Sequence, residues 1–220
     1  MGRAMKKYVV WDWNGTLLDD VDVCIGIVDG MLARRGLRPL MTREKYWQVF
    51  TFPIKDYYAR VGFDFEKEPY EQLAEEYMEI YDRLVKTCLL FPETEEALEA
   101  MDALGVRQLI VSASRQDKLT DQVKHAGIYD RLEAVLGMGN LYAHGKEGLA
   151  RRYFSERNIA PEQVLFVGDT LHDAQVAKDM GCDCVLIGRG HQSPETLKTA
   201  GVPVLGDLLA VRNFFAGPQN

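Results

Sequence analysis

The sequence predicts an α/β protein, a parallel sheet with helices on both faces interrupted by one all-helical insert. Three observations carry this reading. Short apolar runs recur along the chain, helical patterns alternate with them, and one long interval holds helical patterns alone.

The first run is KYVVWD (7–12), followed much later by VRQLIV (106–111), EAVLG (133–137), QVLFVG (163–168) and CVLIG (184–188). Several are almost continuously apolar, as expected of strands covered on both faces. Helical spacing fills the gaps. In 93–104, Ala97, Leu98, Met101 and Leu104 recur every three or four residues, and Gly105 follows as a stop. Residues 116–126 and 145–157 read similarly, with Gly127 closing the first. Alternation of this kind predicts a Rossmann-like core.

From about Asp20 to about Cys88 the strand signal disappears, leaving helical patterns over 21–36, 43–50, 54–61 and 68–86. Eleven of the 22 aromatic residues fall between Tyr46 and Tyr81, enough to require a small core of their own. The expected organisation is therefore a core domain made of 1–19 and 89–220, with an inserted helical domain over 20–88.

At 220 residues, 47% of them hydrophobic and 27% charged, the chain can bury a sizeable core without metal or disulfide staples. The net charge of -7 argues against a nucleic-acid partner, since such a protein must gather positive charge over phosphates. Cys24, Cys88, Cys182 and Cys184 are too few and too scattered for a disulfide framework. The C-x-C at 182–184 lacks a second ligand pair and reads as small apolar residues entering a strand. No apolar run reaches the length of a membrane span, and the run Tyr8–Trp11 is too short for a signal-peptide core. These features predict a soluble, reduced, cytoplasmic protein.

Candidate chemistry gathers at the ends of the predicted strands, where the ligand crevice of an open α/β sheet lies. Asp12 ends YVVW and opens D-W-N-G-T-L, in which Gly15 permits a tight turn and Thr16 can hydrogen-bond it. A carboxylate there can attack phosphorus, although the same residues also read as a self-satisfied turn. Asp169 and Asp173, in G-D-T-L-H-D, head a helix and point at the same mouth. Three converging carboxylates repel one another unless a cation lies between them, and magnesium suits all-oxygen ligands. Helix capping is the competing reading, strongest for Asp173. Ser112 and the backbone N–H groups after it, beginning at Ala113, can hold phosphate oxygens at a helix start. Lys146, which follows the strand EAVLG after a loop, can supply positive charge.

In this order and spacing, D-W-N-G-T-L, the serine after QLIV, the lysine and G-D-x-x-x-D resemble the haloacid dehalogenase superfamily over essentially the whole chain. The insert after the first strand is similar to the helical cap of its phosphoglycolate-phosphatase-like branch. The resemblance implies a Rossmann-like core with an inserted all-helical cap domain, acting as a magnesium-dependent phosphohydrolase on a small phosphorylated metabolite through an aspartyl-phosphate. It implies Asp12 as nucleophile and metal ligand, Asp169 as a second ligand, and the Asn14 carbonyl as a third. Asp173 would bind the metal directly, through water, or orient Lys146. Thr16, Ser112, Ala113 and Lys146 would bind the phosphoryl group, with the chain a monomer or homodimer and no nucleic acid or membrane involved.

One position departs from the family pattern. Family phosphatases carry aspartate two residues after the nucleophile, as general acid and then base, whereas this chain has Asn14. Acid–base help is worth roughly 10²–10⁴-fold, so its loss should be severe for alkyl leaving groups and slight for aryl or acyl ones. His172 and His144 are candidate substitutes, and Arg115, Lys55 and Arg60 candidate contacts for a remote substrate anion. An alternative from another class is a catalytically impaired protein of the same fold that binds phosphate or a partner. Phosphomutase is disfavoured because it too needs acid–base exchange at position 14. Metal-free dehalogenation is disfavoured because it would not require Asp169 and Asp173. Asn14 is followed by Gly15, a pair prone to deamidation.

Overall fold

Tyr8–Trp11 forms the first strand, β1, and all four of its residues are buried. The computed structural model describes residues 5–139 and 145–215. Its remaining strands are β2 (Arg107–Arg115), β3 (Ala134–Met138), β4 (Val164–Gly168), β5 (Asp183–Ile187) and β6 (Val204–Leu205). They form one sheet in the order β3-β2-β1-β4-β5-β6, and neighbouring strands all pair in parallel. The chain thus builds outward from β1 on one side and then returns to β1 on the other. That reversal creates a switch point between β1 and β4, where α/β sheets bind ligands.

Nine α-helices are present among the described residues. Within the insert lie α1 (Val21–Arg34), α2 (Arg43–Val49), α3 (Ile54–Val61) and α4 (Tyr70–Leu84). The others are α5 (Thr94–Ala103), α6 (Gln116–His125), α7 (Gly145–Glu156), α8 (Leu171–Met180) and α9 (Pro194–Lys198). No described helix is long and apolar enough to cross a membrane.

Strand alternation sends side chains to both faces of the sheet, and both are covered. Val10, Leu109 and Phe166 pack with Phe154 of α7 and Val176 of α8. Their neighbours Val9, Trp11, Ile110, Leu165 and Val167 are equally inaccessible. The two indole N–H groups nearest the site are satisfied by glutamines: Trp11 donates to Gln108 (3.1 Å) and Trp13 to Gln122 (2.8 Å).

The chain separates into two compact units, residues 1–18 with 90–220, and residues 19–89. In the first unit, Leu18 and Leu90 form an antiparallel bridge, and Phe91 N–H donates to Leu17 carbonyl at 3.0 Å. The helical unit has its own core. Tyr46, Tyr57, Tyr58, Phe63 and Tyr81 are buried in it, with Tyr46 and Tyr57 edge to face at 5.7 Å. Arg35 braces this unit by donating to Glu68 (2.6 and 2.7 Å) and to Glu76 (2.6 Å).

Two features differ from the sequence expectation. The second strand was expected to stop at Val111, but β2 runs to Arg115, which pairs with Met138 after a register shift. Ser112 therefore lies inside the strand, at its irregularity, rather than after it. The strand β6 is two residues long, too short to leave an apolar pattern in the sequence.

Candidate active site

Parallel register assembles the site. Trp11 is in register with Ile110 on one side and Val167 on the other. Asp12 N–H continues the ladder to Val167 carbonyl at 2.8 Å. Asp12 follows Trp11 directly, and Ser112 and Asp169 lie two residues beyond Ile110 and Val167, so all three fall toward the carboxyl ends of these parallel strands.

Lys146 reaches them from the first turn of α7. Its ammonium donates to Asp12 Oδ1 at 2.6 Å and to Asp173 Oδ1 at 2.5 Å, and its side chain is only 3% exposed. It also lies 5.2 Å from the centre of the Phe166 ring. Asp173 uses its other oxygen locally: Oδ2 accepts from Thr170 Oγ1 (2.7 Å), Thr170 N–H (3.0 Å) and Asp169 N–H (3.2 Å). Thr170 Oγ1 accepts in turn from Asp173 N–H, closing a capping box at the start of α8. Asp173 thus caps α8 with one oxygen and accepts from Lys146 with the other.

Asp169 is wholly buried. Thr16 Oγ1 donates to its Oδ1 at 3.2 Å, and His191 N–H donates to its Oδ2 at 2.6 Å. The Thr16 hydroxyl is thus directed at the carboxylate. Two glycines make room for that carboxylate. A Cβ on Gly15, whose φ is +69°, would lie 2.3 Å from Asp169 Oδ2, and one on Gly190 would lie 2.0 Å from it.

The three carboxylates each place an oxygen within 4.8 Å of the others. Burial pushes Asp12 up to about 6, opposed by Lys146 and reinforced by Asp173. Burial likewise pushes Asp169 up to about 8, opposed by His191 and reinforced by Asp12 and Asp173. Burial also works against the charge on Asp173, but Lys146 and the Thr170 hydroxyl overcome it and hold the group below its ordinary value. For Lys146 the burial penalty is likewise outweighed, by Asp12 and Asp173, and its pKa is raised. Three carboxylates against one ammonium leave an excess of negative charge in a buried, all-oxygen cluster. This donor set fits a hard divalent cation, which would hold Asp12 and Asp169 ionised.

Ser112 is buried and accepts Ser114 N–H at 3.1 Å, so its own proton remains to donate. Ala113 is exposed beside it. Ser114 Oγ donates to Asn14 Oδ1 at 3.0 Å, joining the irregular end of β2 to the loop after β1. Among the histidines, His172 is exposed on α8, and His144 lies outside the described residues. Arg115 is exposed and paired with Asp117 (2.5 and 2.7 Å), while exposed Lys55 lies over the rings of Phe65 and Tyr70. Exposed Arg60 lies in the last turn of α3.

Sequence reasoning missed His191, Gly190 and Ser114. The G-R-G-H after CVLIG offered a signal, because it too follows a strand of the parallel sheet. All four cysteines are free, with Cys184 buried in β5.

A doubly wound sheet with three carboxylates and a lysine at its switch point defines a class of hydrolase, and sequence comparison gives the same class. The haloacid dehalogenase-like hydrolase profile matches residues 9–187, and the chain belongs to that family. Within it, the chain is similar to phosphoglycolate phosphatases. It is 28% identical over 212 residues to that of Thiobacillus denitrificans, covering 91% of this chain and 93% of the relative. It is 28% identical over 189 residues to that of Neisseria gonorrhoeae, covering 83% and 80%. Solved structures share the fold. A haloacid dehalogenase-like hydrolase from Streptococcus pneumoniae superposes with a TM-score of 0.82 at 19% identity, covering 96% of this chain and 99% of that one.

Proposed function

We propose that this chain is a magnesium-dependent phosphatase of a small phosphorylated metabolite, working through an aspartyl-phosphate on Asp12. The observation that carries the reading is the buried Asp12–Lys146–Asp173 chain beside Asp169. Asp12 is the nucleophile: its carboxylate oxygen attacks phosphorus and the bond to the leaving oxygen breaks. Lys146 offsets the repulsion between that carboxylate and the incoming phosphoryl group, and Asp173 holds Lys146 in place. Ser112 and the Ala113 N–H bind phosphoryl oxygens. Asp12, Asp169 and the Asn14 carbonyl would hold the magnesium ion, with Asp173 reaching it through water. When bound, the ion neutralises charge on the transferring group. Thr16 keeps Asp169 oriented. The helical unit acts as a cap that excludes water and selects the leaving group.

The test is a phosphate-release screen over aryl, acyl and alkyl phosphates, with magnesium and with chelator. Magnesium-dependent release from at least one class supports the reading. Phosphate binding without release from any class would favour the impaired binding protein that Asn14 raises as the alternative.

A further inference from the structure

The loop after β5 reaches Asp169 through its backbone. His191 N–H donates to Asp169 Oδ2 at 2.6 Å, and a Cβ on Gly190 would lie 2.0 Å from the same oxygen. So close an approach needs glycine at 190, and Gly188 stands two residues before it. Glycine has more backbone freedom to lose than any other residue, so a loop with two of them gains most from an outside restraint.

The loop is restrained at three points. Gly188 N–H donates to Leu205 carbonyl at 2.8 Å. Gln192 Oε1 accepts Leu171 N–H at 2.6 Å, at the start of α8. Between the two glycines, Arg189 pairs with Glu93 and lays its guanidinium 3.9 Å from the centre of the buried Phe91 ring. Glu93 occupies the N-cap position of α5 but makes no side-chain capping bond there. Its Oε1 accepts Leu208 N–H at 3.3 Å besides pairing with Arg189. Burial works against the Glu93 charge, and Arg189 overcomes it, holding the group below its ordinary value. Phe91 is fixed in turn, its N–H donating to Leu17 carbonyl at 3.0 Å. The two charged side chains are only 23% and 15% exposed, so this pair counts for more than one on the open surface. Each oxygen of Asp169 accepts one bond, from Thr16 Oγ1 and from His191 N–H, and those two bonds fix how its remaining lone pairs are aimed.

On the reading of Asp169 as a metal ligand given above, we infer that Glu93 and Arg189 are positioning residues, pinning the loop over 188–192 so that the His191 N–H holds Asp169 in the orientation that takes the cation. Groups that orient a metal ligand from outside typically account for roughly 10- to 100-fold in metal affinity. Thr16 still holds the other oxygen when the pair is lost, so the lower end of that range applies.

Three variants test this. Arg189→Met keeps an apolar stem against Phe91 and loses the charge. Arg189→Met/Glu93→Gln leaves no unpaired charge, and answers the question if the single variant fails to fold. Arg189→Lys keeps the charge without the flat stacking face. The first measurement uses metal-free protein and reads hydrogen exchange of the His191 amide by NMR. Exchange should quicken roughly fivefold in the two charge-removing variants, the equivalent of one half-buried ion pair. The Asp12 and Asp173 amides should exchange as in wild type, and Arg189→Lys should recover part of the protection at His191. The second measurement is magnesium affinity by titration calorimetry, which should weaken roughly tenfold in the same two variants. The third is phosphate release from p-nitrophenyl phosphate. The magnesium concentration giving half-maximal rate should rise by the same factor, while kcat and KM at saturating magnesium stay near wild type.

Unchanged His191 exchange in both charge-removing variants would overturn the inference and leave the phosphatase reading intact, as would unchanged magnesium affinity. A fall in kcat that saturating magnesium does not restore would also overturn it, since a general loss of structure gives that result. Wild type that binds magnesium and shows the expected differences, yet releases no phosphate, would defeat the phosphatase reading while supporting the inference. Wild type that binds no magnesium would overturn both.

Discussion

The Lys146 ammonium lies 2.6 Å from Asp12 Oδ1, in a contact that water scarcely reaches. A second carboxylate, Asp173, holds the same ammonium from the other side. Removing the lysine strands two buried like charges, so Lys146→Met should destabilise the fold by about 3–5 kcal/mol. It should also abolish phosphate release. Urea unfolding at neutral pH reads the first effect, and a loss below about 1 kcal/mol would show that Lys146 does not neutralise the pair.

Without metal, stability should fall as the pH rises from 4 toward 8. Asp12 and Asp169 have folded pKa values raised to about 6 and about 8, so the folded state binds protons that the unfolded state releases near 4. Stability from these two groups is fully present below the unfolded value and is lost as pH climbs through the folded ones. Asp173, which is lowered, and Lys146, which is raised, change outside this window. Magnesium competes with the bound protons, so its stabilisation should be larger at pH 8 than at pH 5.5. Thermal melts at both pH values, with and without the ion, check the sign. Asp169→Ala should weaken the pH dependence and lower magnesium affinity together.

Much of this architecture was legible in the sequence because buried parallel strands are nearly all apolar. YVVW, LFVG and their counterparts stand out on that ground alone, and the strand-end rule then brings Asp12 and Asp169 together. The aromatic run from Tyr46 onward marked the insert for a similar reason, since it needs a core of its own. What stayed hidden depends on geometry that composition does not encode. Ser114 reaches Asn14 from an irregular stretch of β2, and His191 contacts Asp169 through a backbone N–H that any residue but proline could supply. The double use of Asp173 was legible only as two competing readings, because nothing in a sequence assigns individual carboxylate oxygens.

Excising the helical unit should leave a foldable core. Leu18 and Leu90 bridge one another within the first unit, so a short linker can join them without stretching the chain. The shortened protein should keep a cooperative melt and act on small aryl phosphates, while its activity on metabolites falls. A chain that cannot fold would show that the sheet depends on residues 19–89 for its core.

Asn14→Asp should raise turnover most for poor leaving groups. A carboxyl group at this position can protonate a departing alkoxide, whose basicity makes the proton worth roughly 10²–10⁴-fold, whereas a nitrophenolate needs little help. Rates on paired aryl and alkyl phosphates check this. An unchanged alkyl rate would mean that another group already supplies the proton.

The central claim is that the phosphoryl group passes through Asp12, and acid-quenched peptide mass spectrometry during turnover tests it directly. With Asn14 unable to activate water, hydrolysis of the covalent intermediate should be slow, and a phosphorylated Asp12 peptide should accumulate with acetyl phosphate and magnesium. The adduct should be absent from Asp12→Asn, which should also lose phosphate release, and scarcer in Asn14→Asp. Full phosphate release by Asp12→Asn, or wild-type turnover with no phosphoryl group on Asp12 at any quench time, would contradict the mechanism.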